Sequence, residues 1–264
     1  MSDLSPPVRP ISAVLITRNG DRKLADVLAA LTWCDEILVV DSGSTDQTLA
    51  IAERFGCRIV HQPFLGFGPQ KRVAVAHARH DWVFSVDSDE VVTPDLQREI
   101  QALLRQPTLA AGYSVPISLV FLGRLMRGGE SKSPHRRLFD RRRANFNANL
   151  VHEKVELPDP VPCLKNQMLH YSYGSLADYL DKFNRYTTAG ATDMYQKGRK
   201  APLWQIVLRF PVSFLREYVI KRNVLNGYPG FLWSLLSAMY PVVKYAKLRE
   251  LHAAQKNLDL VNAP

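Results

Sequence analysis

Four apolar runs of strand length occupy the first ninety residues: AVLIT (13–17), EILVVD (36–41), CRIVHQ (57–62) and WVFSVD (82–87). None alternates apolar with polar positions, so both faces of each strand are expected to be covered, as in a parallel sheet flanked by helices. Between the runs the spacing turns helical. Leu24, Val27, Leu28 and Leu31 repeat at i, i+3, i+4, i+7, and Leu96, Ile100, Leu103 and Leu104 at i, i+4, i+7, i+8. Ser44 with Gln47 three residues on predicts a capping box, and Thr93 followed by Pro94 predicts an N-cap with a first-turn proline. The order β-α-β-α-β-α-β-α defines an open, doubly wound α/β domain with right-handed crossovers.

After residue 105 the pattern changes. Short strand-like pieces, GYSVPISL, RRLFD, NLVHEKVEL and QMLHYSY, are separated by Gly, Pro and Asn, which predicts an antiparallel extension of the sheet. Longer helical stretches begin at Leu176. The division expected is a tail over 1–10, a sheet domain over 11–175 with halves at 11–105 and 106–175, and a helical region over 176–264. In the last of these, Pro211 is expected to kink or divide a helix that carries Gln205, Arg209, Ser213 and Arg216 on one face and Trp204, Val207, Phe214, Leu215 and Tyr218 towards the other. Asn223 to Val243 has no charge, but its Asn, Gly, Pro and Ser content leaves it short of the ~20 predominantly apolar residues a membrane span needs.

Composition adds little until charge is mapped. With 46% hydrophobic and 22% charged residues in a 264-residue chain, a folded globular protein is expected. The net charge of +9 admits nucleic acid, an anionic membrane or a phosphorylated substrate. Its location discriminates. Between Arg199 and Glu250 nine Lys or Arg face two Glu, and HRRLFDRRR (135–143) holds five Arg against Asp140, so the rest of the chain is slightly acidic. Basic residues interleaved with long apolar runs fit an interfacial helix on an anionic leaflet better than a nucleic-acid platform; helices packing on the sheet domain or building a homo-oligomer are the other reading. Cys34, Cys57 and Cys163 form no C-x-x-C pair, so no disulfide framework or zinc site is expected. The opening MSDLSPPVRP lacks an apolar h-region, so the expectation is a cytoplasmic chain without a secretory signal.

In open α/β sheets ligands bind at the carboxyl ends of the strands. Here those ends read Thr17-Arg18-Asn19-Gly20, Asp41-Ser42-Gly43-Ser44 and Asp87-Ser88-Asp89-Glu90. Three polar clusters on one edge point to a site, where one alone reads as a solvated turn. Asp-x-Asp after a buried strand offers oxygen ligands to a hard divalent cation.

These stretches, with QKR at Gln70 to Arg72, RLF at Arg137 to Phe139 and VHE at Val151 to Glu153, resemble the inverting family-two glycosyltransferases, more narrowly the bacterial lipopolysaccharide-core glucosyltransferase branch. The resemblance implies a GT-A-type fold: a doubly wound, mostly parallel sheet with an antiparallel acceptor-side extension and C-terminal amphipathic helices. It implies a UDP-sugar donor, a divalent cation (Mg2+ or Mn2+) and a lipid-linked glycan acceptor, with the enzyme peripheral on the inner face of the cytoplasmic membrane. By similarity Asp89 binds the metal, Asp87 the ribose and Asp41 the base, with Thr17 and Asn19 lining the nucleotide pocket and Lys71 near the nucleotide. Glu90 is given neither job and is read as a supporting or helix-start residue. Inversion needs a general base for the acceptor hydroxyl; Glu153 takes that role, with Glu130 in RGGE as its rival. Arg137, His152 and His170 are candidates for the diphosphate or the acceptor.

Two other readings stand beside this one. DSDEV (87–91) also satisfies the Asp-x-Asp-x-Val element of haloacid-dehalogenase-type phosphatases, although three βα units precede it here and no later acidic pair closes a magnesium site. A membrane-bound scaffold with an inactive transferase fold is the third.

Overall fold

A computed structural model describes residues 8–150, 153–158 and 160–261. The first half alternates as its apolar runs dictate: β1 (Ile11–Thr17), α1 (Asp21–Ala29), β2 (Glu36–Asp41), α2 (Thr48–Arg54), β3 (Arg58–His61), α3 (Phe67–His77), β4 (Trp82–Ser85), β5 (Glu90–Val92) and α4 (Pro94–Leu103). Then come β6 (Gly112–Phe121), β7 (Arg124–Leu125), β8 (Ser133–Asp140), β9 (Asn145–Phe146), β10 (Val155–Glu156), β11 (Met168–His170), α5 (Leu176–Gln196), α6 (Leu203–Leu215) and α7 (Gly227–Val261).

The main sheet runs β3-β2-β1-β4-β8-β6-β11-β5, with β7 paired to β6. β1 pairs in parallel with β2 and with β4, and β8 joins antiparallel between β4 and β6. β11 departs from the expected antiparallel extension: it runs parallel to β6 and antiparallel to β5. Leu24, Val27, Leu28 and Leu31 on the α1 side and Leu96 and Ile100 of α4 are wholly excluded from solvent and pack on one sheet face. Each such side chain contributes about 1.5–3 kcal/mol by leaving water. Val14, Leu38, Val40 and Val83 meet Ala74 and Val75 of α3 on the other face, which is why the strands show no alternation.

Helix starts divide between expectation and correction. Thr93 caps α4 by accepting from Leu96 N at 3.3 Å, with Pro94 in the first turn. The Ser44–Gln47 capping box does not form. α2 begins at Thr48 with Gln47 as N-cap and no side-chain cap, because the Ser44 hydroxyl is held by Asp41 and accepts from Asn19 N instead.

The chain divides into two compact units, Met1–Leu119 with Ser131–Ser172, and Val120–Glu130 with Tyr173–Pro264. The sequence places 120–130 within the sheet domain, but it belongs with the helices. Asn226, buried, accepts from Arg127 N at 2.8 Å and donates to Arg127 O at 3.0 Å, while Gly129 N donates to Lys221 O at 2.8 Å. In the second unit α6 runs through Pro211 without dividing, and a π turn over Arg216–Ile220 follows it. Among the described residues no helix is long and apolar enough to cross a membrane.

Candidate active site

Because β1 lies between β2 and β4, with Thr17 opposite Asp41 in register, the three polar strand ends sit side by side on one sheet edge. Asp41, 1% exposed, organises the second of them. Its carboxylate accepts from Gly43 N at 2.9 Å and Ser44 N at 3.0 Å, and from the Ser44 hydroxyl, with His61 Nδ1 at 3.7 Å. Burial alone would raise its pKa, but the Ser44 and Gly43 donors hold it below the ordinary carboxylate value.

The first strand end is tied to the second. Asn19, in the left-handed region at φ 53°, accepts from Thr45 N at 2.8 Å through its side-chain oxygen, and its own N–H donates to Ser44 Oγ at 2.9 Å. Gly20 follows with no room for a side chain: a Cβ there would lie 2.6 Å from Thr17 Oγ1 and 3.2 Å from Ser88 Oγ. Thr17 Oγ1 is buried and has no hydrogen-bond partner among the described residues. A buried hydroxyl with no protein partner is costly, and here it lies at the strand end where the nucleotide is expected.

At the third strand end a chain of ion pairs crosses the site. Glu153 Oε1 lies 2.8 Å from Lys71 Nζ, which lies 2.9 Å from Asp87 Oδ1; Asp87 Oδ2 accepts from Arg137 Nη2 at 2.7 Å, and Arg137 Nη2 also donates to Glu90 Oε1 at 2.6 Å. Lys71 is 5% exposed, so it is no solvated helix position. Burial would raise the Asp87 pKa, but Arg137 and Lys71 hold it far below the usual carboxylate range. Burial pushes Glu90 up in spite of Arg137, with the neighbouring Asp87 charge acting in the same direction. Glu90 starts β5 rather than a helix, and its other oxygen accepts from Asp87 N at 3.0 Å.

Asp89 stands apart from that chain. Its Oδ2 lies 3.3 Å from His170 Nε2, and Ser172 Oγ lies 2.9 Å from the same nitrogen. Burial would lower the His170 pKa, but Asp89, then Glu90 and Asp87, raise it above the ordinary value. Among the described residues no group of three or more His, Cys, Asp or Glu side chains forms a cation cage. One carboxylate and one imidazole nevertheless fit a magnesium or manganese ion that keeps waters and takes substrate phosphates for its remaining positions.

Of the residues singled out in sequence, Thr17, Asn19, Asp41, Lys71, Asp87, Asp89, Arg137, Glu153 and His170 all lie in the sheet unit. Arg137 does not project outwards for an acceptor: it is 7% exposed, and its Nη2 is engaged by two carboxylates. His152 lies outside the described residues. Glu130 ends a single 3-10 turn, Gly128–Glu130, in the helical unit, and its side chain is likewise outside them. Two supporting residues complete the site: Glu90, read from the sequence as a supporting or helix-start residue, and Gln70, which carried no role there. Glu90 anchors Arg137, and fully buried Gln70 donates to Ser42 Oγ and Gln62 O, both at 3.0 Å, pinning the loop after β2. Gln70 stands in the QKR motif, which was its only signal.

The geometry agrees with the comparisons to known proteins. Residues 12–154, more than half of the chain, match the family model for glycosyl transferase family 2, and the chain belongs to that family. It is a glycosyltransferase of GT-A-type fold, which sets aside the phosphatase reading. An uncharacterized glycosyltransferase of Rickettsia felis is 29% identical over 94% of this chain and 92% of its own length. The lipopolysaccharide core biosynthesis glycosyltransferase LpsC of Rhizobium meliloti is 26% identical over 96% of this chain and 97% of its own length. Among solved structures, glucosyl-3-phosphoglycerate synthase from Mycobacterium tuberculosis in complex with Mn2+, UDP and glucosyl-3-phosphoglycerate is 27% identical with a TM-score of 0.36; the match covers 42% of this chain and 44% of that one.

Proposed function

We propose that this chain is a metal-dependent inverting hexosyltransferase that moves a hexose, with glucose the favoured sugar, from a UDP-sugar to a lipid-anchored glycan such as the lipopolysaccharide inner core. The observation that carries the reading is the ammonium of Lys71 between Asp87, at 2.9 Å, and Glu153, at 2.8 Å. It brings a donor-side carboxylate and a candidate base to one point beside the strand-end loops. The likeness to LpsC along almost its whole length supports the glycan acceptor.

In this reading Asp41 accepts the imino N–H of the base, Thr17 and Asn19 line the nucleotide pocket, and Asp87 accepts from the ribose. Asp89 and His170 hold the cation, which when bound supplies charge neutralisation at the diphosphate. Glu153 takes the proton of the acceptor hydroxyl as its oxygen bonds to the anomeric carbon, and the bond from that carbon to the diphosphate oxygen breaks on the opposite face, releasing UDP with inversion. Lys71 fixes the orientation of the Glu153 carboxylate before the acceptor arrives. Arg137 and Glu90 hold Asp87 in place. The reading puts the enzyme on the cytoplasmic face of the membrane, where the basic residues between Arg199 and Glu250 meet anionic lipid.

Calorimetric titration of UDP into the protein with manganese, then with EDTA, tests the donor site. Binding that requires both the ion and Asp89, and is lost in Asp89→Asn, is expected. No binding to folded protein under any condition would turn the assignment towards an inactive scaffold.

A further inference from the structure

α6 buries Ile206 and half-buries Phe210 and Phe214, the latter against Phe231, yet a second apolar row has nothing packed over it. Trp204 and Val207 are 62% exposed and Val212 66% exposed, with Leu208 and Leu215 beside them. Val219 and Ile220 carry the exposed row on into the π turn. Beside that row Arg209 and Arg216, both exposed, and Ser213 border an open cavity of about 380 Å³ within the helical unit, together with Trp233 and Tyr240 of α7 and Tyr179 of α5.

The cavity is furnished for an anion. Two guanidiniums reach it, Arg209 lying 4.6 Å from the Tyr245 ring centroid and Arg216 bonded to Glu217 at 2.9 Å. Trp233 Nε1, which only donates, is buried and has no acceptor among the described residues. Ser213 and Ser237 add hydroxyls to the lining. An anion ringed by aromatic edges and arginines, immediately beside a row of exposed aliphatic side chains, has the chemistry of a phospholipid: phosphate in the cavity and acyl chain along the helix.

We infer that the helical unit is a membrane-docking device in which the exposed apolar row of α6 enters the interfacial region of an anionic leaflet while Arg209 and Arg216 hold a phospholipid headgroup in the adjoining cavity. Charge complementarity favours this occupant over a second copy of the chain, since self-pairing through α6 would set the exposed arginines beside its apolar row, Arg209 and Arg216, upon their own like charges. The inference rests on the membrane placement proposed above, but docking needs neither donor nor acceptor, so its failure would leave the proposed transfer reaction untouched.

Partitioning of the full chain onto vesicles tests it. Phosphatidylcholine vesicles, with and without phosphatidylglycerol, are titrated while tryptophan emission is followed, with Trp204→Phe as the control. The expected result is a blue shift carried by Trp204 and binding that depends on phosphatidylglycerol. Arg209→Gln with Arg216→Gln should weaken that binding roughly tenfold or more, whereas Arg209→Lys should retain most of it. Leu208→Asp with Val212→Asp should abolish partitioning while thermal unfolding and UDP binding stay as in the parent. Equal binding to neutral vesicles, or unchanged binding in the double arginine variant, overturns the headgroup assignment. Capture of soluble glycerophosphate without vesicle binding overturns the lipid source, and a dimer in light scattering that is lost in the aspartate variant, with no vesicle binding, overturns the membrane in favour of self-association.

Discussion

Arg137 donates to Glu90 at 2.6 Å with both side chains almost wholly buried, 9% and 2% exposed. Neither sits on the solvent side of the site, yet together they set the position of Asp87, which takes the second bond from the same guanidinium nitrogen.

Arg137→Ala leaves Glu90 buried with no cation, so it is expected to lower the unfolding free energy by about 3–5 kcal/mol. Urea unfolding measures the loss. Adding Glu90→Gln to the same chain should restore a large part of it, and a double variant no more stable than the single one would mean that the pair is not the source.

Glu153→Gln keeps the size of the side chain and removes its basicity. Turnover is expected to fall about 10²–10⁴-fold with UDP affinity unchanged, and Glu130→Gln to leave turnover near the parent value. The reverse pattern in a radiolabelled-sugar transfer assay would pass the role of base to Glu130.

Adding a methyl at Gly20 pushes a Cβ to within 2.6 Å of Thr17 Oγ1. Gly20→Ala is therefore expected to cost about 1–3 kcal/mol and to weaken UDP binding, with stability recovered when Thr17→Ala removes the obstructing oxygen. Differential scanning calorimetry on the single and double variants separates the two effects.

Acid stability should report on Glu36, 7% exposed, which accepts from Ser12 Oγ at 2.6 Å, Arg79 N at 2.7 Å and Arg58 Nε at 2.8 Å. Burial would raise its pKa, but the Ser12, Arg79 and Arg58 donors hold it below the ordinary value. The folded value thus lies under the unfolded one. The stabilisation is complete above the unfolded pKa of about 4.3 and disappears as pH falls through the folded value. Tm should drop over that acid range in the parent and less steeply in Glu36→Gln, which starts about 1.5–3 kcal/mol lower at neutral pH.

How much of this was legible in the chain follows from how local each feature is. The α1 and α4 faces, the Thr93 cap and the three polar strand ends depend on neighbours in sequence, and their patterns announced them. The direction of β11 depends on which strands it meets, β6 on one side and β5 on the other, and three residues hold no information about that. Lys71 was placed near the nucleotide by resemblance, but its burial and its pairing with Asp87 and Glu153 depend on distant segments that its own helix does not announce. The burial of Arg137 was not legible either: it stands in a run of arginines, and only the strand pairing of β8 places this one beside Asp87 and Glu90. That Arg209, Ser213 and Arg216 share one face of α6 was legible from their spacing, but the cavity they border with Tyr179, Trp233 and Tyr240 was not.

The return of Val120–Glu130 to the helices has a practical side. The backbone passes between the sheet unit and the helical unit at Leu119, at Glu130 and again at Ser172, so neither unit is one continuous stretch of chain. Trimming the protein after the last strand would strand the hairpin without the Asn226 amide that clasps Arg127. Swapping tails between relatives therefore requires exchanging the hairpin and the helices as one cassette.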